Sequence, residues 1–331
     1  MSVFRQNYTG PKELVIVDDA SYDNSVSIIR EAIRRYGEGW DCTLLVNEKN
    51  LGVAGTIDRG WKAARYEWIV EVDGDDIQHP ERCANTARLI EKYPGAGMIS
   101  LSYTCIDSEG REFDRGWMVD SECGSDFCAD SPQIRADIYN QFGRQFPVSW
   151  GAFGCSMSIK KSIVELWGAL WSEGKERFAQ DLPWELRAIL SSNIVWSNEL
   201  ACGYRMHSSN ILNRAKRYET LADWCQNESD CCRYARKEQF AAEQMIRDIT
   251  RAISSPQLTD WSSEQLERTL QKLERYRLVA RLRHEWWGYN VLKRIVYALK
   301  YSRRVPHDYS RWFVNRILPL KWAMWLKMRM K

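Results

Sequence analysis

Along the first hundred residues, short apolar runs alternate with segments whose apolar positions recur every three or four residues. The runs at 14–17, 42–46, 68–72 and 98–103 read as strands. Between them, Ile28, Ile29, Ala32, Ile33 and Tyr36 form one helical stripe, with Ser21, Asp23 and Ser25 as candidate caps. Ala54, Ile57, Trp61 and Ala64 form a second. Cys83, Ala84, Ala87 and Ile90 form a third, opened by Pro80. Strands that alternate with helices predict an α/β fold with a mostly parallel central sheet flanked by helices.

The pattern weakens over 106–148, where glycine, serine and acidic residues predict loops of the kind that contact substrates. It returns as a strand at 150–159, a turn and helix at 178–191, and an extended segment at 194–204. Beyond Asn213 the character changes. Segments 218–252 and 263–300 predict long helices, and Pro306 breaks the chain before a last segment rich in tryptophan and basic residues.

Composition narrows the class. The chain has 331 residues, 44% of them hydrophobic and 27% charged, enough for a real core and against disorder. No run approaches the ~18–20 apolar residues of a membrane span, and residues 1–11 lack the apolar stretch of a signal peptide. The ten cysteines include no CxxC pair. Their spacing points to reduced thiols in a cytoplasmic protein rather than a zinc site or disulfide framework. The net charge of +3 is uneven. Residues 276–331 hold 14 Lys+Arg against 2 Asp+Glu, a balance of +12 that leaves −9 for the rest.

Two of the strand-like runs end in aspartates: Asp18 and Asp19 after one, Asp73, Asp75 and Asp76 after another. Ligands of open α/β sheets bind at the carboxyl ends of the strands. A divalent cation bridging a nucleoside diphosphate would give these carboxylates a reason to crowd together. Taken singly, each has a plainer reading. DGDD is an Asp-Gly turn, and Asp181, before Leu182-Pro183, is a helix cap.

Six segments in order resemble the family 2 glycosyltransferases, inverting enzymes of the GT-A fold. VDDASYD at 17–23 is similar to the family's nucleotide-binding motif, NLGVAGTIDRG at 50–60 to its glycine-containing loop and helix, and DGDD at 73–76 to its DxD metal motif. WGAFGCSMSIKKS at 150–162 is similar to its acceptor-side glycine loop, QD at 180–181 to its ED motif, and YRMHSSNI at 204–211 to its closing segment. The resemblance covers residues 1–212, as a catalytic domain, and leaves 213–331 as a helical extension.

The resemblance implies roles. Asp18, Asp19, Ser21, Asn50, Gly52, Asp73 and Gly151 would line the donor site. Asp75, with Asp73 and His207, would bind Mn²⁺ or Mg²⁺ on the diphosphate, and Asp181 would be the general base. Gln180 stands where the family often has glutamate. The partners implied are a nucleotide-sugar donor and a glycan or lipid-linked acceptor, as in cell-surface polysaccharide synthesis. The QxxRW motif of processive synthases is missing, which favours single addition. A sugar nucleotidyltransferase would need a glycine-rich N-terminal phosphate loop, and none is present.

One departure counts against activity. The family pattern begins with a strand and helix, and residues 1–8 resemble only the end of that helix. Either the start lies upstream, or the sheet closes up with an incomplete pocket. The rival reading is therefore a catalytically impaired relative that binds a glycan or a partner. At the other end, Trp286, Trp287, Trp312, Trp322 and Trp325 among basic residues suit an anionic membrane surface, which would place the protein peripherally on the cytoplasmic face. A packed helical arm is the alternative. Nucleic acid is not an expected partner, since no such motif accompanies the charge.

Overall fold

The computed structural model describes residues 1–113, 126–141, 154–170, 180–206, 221–286 and 291–301. The segment opens with a short 3-10 turn, Ser2–Arg5, followed by β1 (Glu13–Asp18), α1 (Ser25–Tyr36), β2 (Asp41–Val46), α2 (Gly52–Ala63) and β3 (Trp68–Val70). Then come β4 (Ile77–Gln78), α3 (Arg82–Lys92), β5 (Ala96–Ile106), β6 (Glu112–Phe113), β7 (Phe127–Ala129) and α4 (Pro132–Gln141). A 3-10 turn at Gly154–Ser156 leads into β8 (Met157–Lys160), α5 (Lys161–Trp167), α6 (Asp181–Ser191) and β9 (Asn193–Arg205). Three helices follow: α7 (Leu221–Ser254), α8 (Ser263–Trp286) and α9 (Val291–Tyr301).

The alternation expected from the sequence is present, but the sheet is mixed rather than mostly parallel. The β1–β2 and β5–β9 pairings are parallel. β8 runs antiparallel between β3 and β5, and β4, β6 and β7 add further antiparallel pairs. The physical reason is connectivity. β1 and β2 are joined by the helical crossover that a parallel pair needs, whereas antiparallel neighbours such as β8 need none. β5 is buried along nearly its whole length, as a strand covered on both faces must be.

Among the described residues the strands form two sheets, one of two strands and one of seven. Among the described residues β1 pairs only with β2, and β3 only with β8, so the sheet does not close up between β1 and β3. Other contacts bridge the gap. Phe4 packs on Tyr36 and Trp40 beside the small sheet, while Gln6 donates to the carbonyl of His79 and accepts from the Cys83 N–H on the large one. Arg65 ties the approach to β3 back to the Glu13 carboxylate. On the helical side, Trp61 of α2 stacks against Trp184 of α6 with ring centroids 4.9 Å apart.

One apolar core runs through both the sheet and the C-terminal helices. Trp61, Met98, Ile159, Trp184 and Ile189 share it with Met245, Ile249, Trp261 and Leu273. Each such side chain, fully buried, contributes roughly 1.5–3 kcal/mol. Polar contacts reinforce the join. The buried Arg187 pairs with Asp248, and Lys272 of α8 donates to the last carbonyls of α4, at Tyr139 and Asn140. Burial lowers the Lys272 pKa to about 8. Of the basic C-terminal region, 302–331 and Trp287 lie outside the described residues, and Trp286 is fully buried.

Candidate active site

At the carboxyl end of β1, Asp18 is buried and accepts the Ser21 N–H at 3.0 Å. That bond closes a tight turn in which Ala20 takes a positive φ of 60°. Asp19 does different work. Its carboxylate accepts from the N–H groups of Leu51 and Gly52, at 2.7 and 2.9 Å, and from the Asn47 amide at 2.8 Å. It thereby satisfies orphan donors at the start of α2. Partial burial would raise its pKa, but the bonds from Leu51 and Asn47 outweigh that and hold it below the usual carboxylate range. The Asn50 amide donates to the backbone carbonyl of Asp19. Asp19 is thus the strut that joins β1 to α2, and the exposed Ser21 and Asn50 flank it.

The second group of carboxylates surrounds the end of β3. Asp73 is half-buried and Asp75 exposed. Burial and the neighbouring Asp75 charge raise the Asp73 pKa, with the Arg82 guanidinium offsetting part. Asp181 opens α6 and is partly exposed, so it is reachable. Its Oδ1 accepts the N–H of the adjacent Leu182 at 3.1 Å. Burial, with a contribution from Asp73, lifts its pKa to about 6. The residue before it, Gln180, holds the N-cap position without a side-chain cap bond.

Sequence reasoning missed Glu71. It lies two positions before Asp73, just past the end of β3, and only 6% of it is exposed. Neither carboxylate oxygen has a hydrogen-bond partner of ordinary geometry, although Gln180 lies near. Burial, then the charges of Asp73 and Asp181, push its pKa far up. A lone glutamate in an otherwise apolar strand was the available signal. Beneath this cluster sits Arg82, almost wholly buried, bonded to Gln78 and the Met157 carbonyl.

Arg205 fastens the turn that carries Asp75. Its backbone N–H donates to Asp76 at 2.8 Å, and its guanidinium donates to the carbonyls of Asp75, Asp107 and Ser108. The structure thus gathers Glu71, Asp73, Asp75, Asp76 and Asp181 around one strand end, while Asp18, Asp19, Asn50 and Gly52 gather around another. Gly151 and His207 lie outside the described residues. The carboxylates of Asp73 and Asp75 are a hard oxygen donor set of the kind that suits Mg²⁺ or Mn²⁺. A cation between them would also relieve the repulsion that raises Asp73.

The sequence profile of glycosyl transferase family 2 matches residues 1–167, half of the chain. The chain belongs to glycosyl transferase family 2. Its mixed sheet, with helices on its faces and a helical C-terminal part, is of the GT-A type. The glycosyltransferase GlyG of Streptococcus pneumoniae is 26% identical over 210 residues, 63% of this chain and 66% of GlyG. EpsE of Bacillus subtilis is 25% identical over 181 residues, 52% of this chain and 60% of EpsE. The chain therefore spans less than two thirds of either relative. Among solved structures, TarS 1–349 of S. aureus in complex with UDP has a TM-score of 0.49 at 16% identity, covering 95% of this chain and 85% of that one.

Proposed function

We propose that this family 2 chain is a metal-dependent, inverting glycosyltransferase that moves one sugar from a nucleoside-diphosphate donor to a hydroxyl of a glycan or lipid-linked acceptor. The observation that carries this reading is Asp181. It is a reachable carboxylate with a pKa of about 6, beside the Asp73–Asp75 turn. A general base works best when its pKa lies near the working pH.

In this reading Asp181 accepts the proton of the acceptor hydroxyl. The acceptor oxygen forms its bond to the anomeric carbon on the face opposite the leaving group. The bond from that carbon to the phosphate oxygen breaks, and the nucleoside diphosphate leaves with the electron pair. Asp73 and Asp75 would hold Mn²⁺ or Mg²⁺, which supplies charge stabilisation for the departing diphosphate. Asp18, Ser21, Asn50, Gly52 and Gly151 would line the donor pocket, with Asp19 keeping that pocket's loop in place. His207 would join the metal ligands. The catalytic part is residues 1–212, and 213–331 form the extension. Leu292, Ile295 and Val296 expose apolar surface on α9 beside Lys293, which supports peripheral attachment at an anionic cytoplasmic membrane face.

A second reading has its own observation. The gap between β1 and β3 leaves the donor-side and base-side loops on separate sheets, which favours an impaired relative that binds a glycan or partner.

Thermal shift with UDP, GDP and dTDP, each with and without Mn²⁺, tests the choice. We expect one nucleotide to raise Tm only with metal, and Asp75→Ala to abolish the rise. No rise with any nucleotide would overturn the catalytic reading in favour of the binding one.

A further inference from the structure

Beneath the Asp75 turn, three metal-ligating side chains from distant segments converge. Asp76 follows β3, Cys155 sits in the 3-10 turn before β8, and Cys202 lies in β9. Their ligand atoms all fall within 4.8 Å of one another. All three are buried, at 9%, 3% and 2% exposure. Tyr103 of β5, itself buried, packs close to both thiols.

The hydrogen bonds within the cluster are poor. One oxygen of Asp76 accepts the Arg205 N–H at 2.8 Å, and among the described residues the other meets only the Cys202 thiol, at 3.9 Å. That thiol also faces the Cys155 carbonyl at 3.4 Å. The nearby Arg82 gives its two Nη atoms to Gln78 and the Met157 carbonyl and reaches Asp76 through its charge alone, without a hydrogen bond. A buried carboxylate served by one backbone N–H and a distant thiol is weakly compensated.

We propose that Asp76, Cys155 and Cys202 form a zinc site, distinct from the Asp73–Asp75 turn above it. Two sulfurs and one oxygen suit zinc, whereas Asp73 and Asp75 offer only hard oxygens. The geometry is close. Tetrahedral zinc, with Zn–S about 2.3 Å and Zn–O about 2.0–2.2 Å, sets sulfur and oxygen about 3.5 Å apart and the two sulfurs about 3.8 Å apart. The Cys202 sulfur, 3.9 Å from Asp76, needs a contraction of a few tenths of an ångström, and the other two pairs, within 4.8 Å, one of up to about 1 Å. On binding, each thiol loses its proton to solvent and gains a Zn–S bond. The ion ties the β3–β4 turn, the glycine turn at Gly154 and β9 into one unit. Its role is to hold Asp75 and Gly154 in register under the substrate, with one tetrahedral position left over.

Metal analysis of the full chain, purified without chelators, tests the proposal. We expect about one zinc per chain in the wild type and in Asp75→Ala, and at least a tenfold loss in Cys155→Ala/Cys202→Ala. Cd²⁺ titration of the chelator-treated wild type provides a readout that needs no variant to fold. It should produce thiolate-to-metal absorption in the near ultraviolet that saturates at one equivalent. Wild type that holds no zinc and gives no such absorption would overturn the site. So would zinc retained in the double-cysteine variant, or an intact mass two hydrogens lighter that maps to a Cys155–Cys202 disulfide. None of these outcomes depends on nucleotide binding, so the proposed transferase function stands or falls separately.

Discussion

Arg187 donates Nε and Nη2 to the two carboxylate oxygens of Asp248, at 2.8 and 3.0 Å, and so latches α6 to α7. Both side chains are buried, and Gln244 donates to the same carboxylate. The Arg187 guanidinium also lies over the Trp184 ring, 4.6 Å from its centroid. Because α6 begins at Asp181, the helical extension holds the helix that presents the candidate base.

Breaking this pair should be costly. Asp248→Ala leaves an uncompensated buried guanidinium, a class of change that costs about 3–5 kcal/mol. Urea denaturation of the two proteins measures it. Replacing both partners with apolar residues, Arg187→Met with Asp248→Leu, should recover most of the loss. A double variant as unstable as Asp248→Ala would show that the pair does more than neutralise charge.

Asp181→Asn removes the candidate base while keeping its size. We expect kcat to fall by about 10²–10⁴, with donor binding intact. In the wild type, kcat/KM should rise with pH through about 6, because the base acts deprotonated and its pKa is raised from 3.8 to about 6. The variant should lose that acid limb. A wild-type profile flat through this range would remove Asp181 from the mechanism.

Glu71 makes a separate claim on pH. Its folded pKa lies well above the ordinary 4.5. A carboxyl raised in the folded state binds more protons there than when unfolded, so it lowers stability as pH rises above the unfolded value. As pH rises above the ordinary carboxylate range, the wild-type Tm should therefore fall relative to Glu71→Gln. The glutamine resembles the protonated acid, and the variant should keep its activity. Parallel Tm curves for the two proteins would show that Glu71 is ionised and compensated.

The sequence carried those parts of the site that local pattern controls. The apolar runs before Asp18 and Asp73 are legible because a buried strand must be apolar, and carboxylates at its end stand out. β9 was legible for the same reason, and α6 as a turn leading into a helix. Within the strand expected at 150–159, residues 150–153 lie outside the described residues, Gly154–Ser156 turns instead of extending, and the strand runs over Met157–Lys160. The single helix expected over 263–300 is described as α8 and α9. The two-residue β4 and the seven-residue α5 are too short to leave a period. α4 falls in a stretch read as loop. The antiparallel entry of β8 is a tertiary choice that no spacing encodes. The thiol–carboxylate cluster was invisible for a simpler reason. Cys202 is 47 residues from Cys155 and 126 from Asp76, so only the folded sheet brings them together.

Arg205 offers a test of the Asp75 turn that leaves every candidate ligand in place. Its guanidinium spans the carbonyls of Asp75, Asp107 and Ser108, at 2.7, 2.9 and 2.9 Å. These bonds fix the backbone at Asp75 to the β5–β6 hairpin. Arg205→Ala removes all three but keeps the backbone N–H that Asp76 accepts. Partners that orient a ligating carboxylate are typically worth 10–100-fold in metal affinity or activity. We therefore expect the Mn²⁺ concentration for half-maximal activity to rise by about that factor, while kcat at saturating metal changes less. Arg205→Lys should recover little, because one ammonium cannot span three carbonyls that a planar guanidinium reaches. An unchanged metal requirement in Arg205→Ala would mean that the turn holds its shape without the guanidinium.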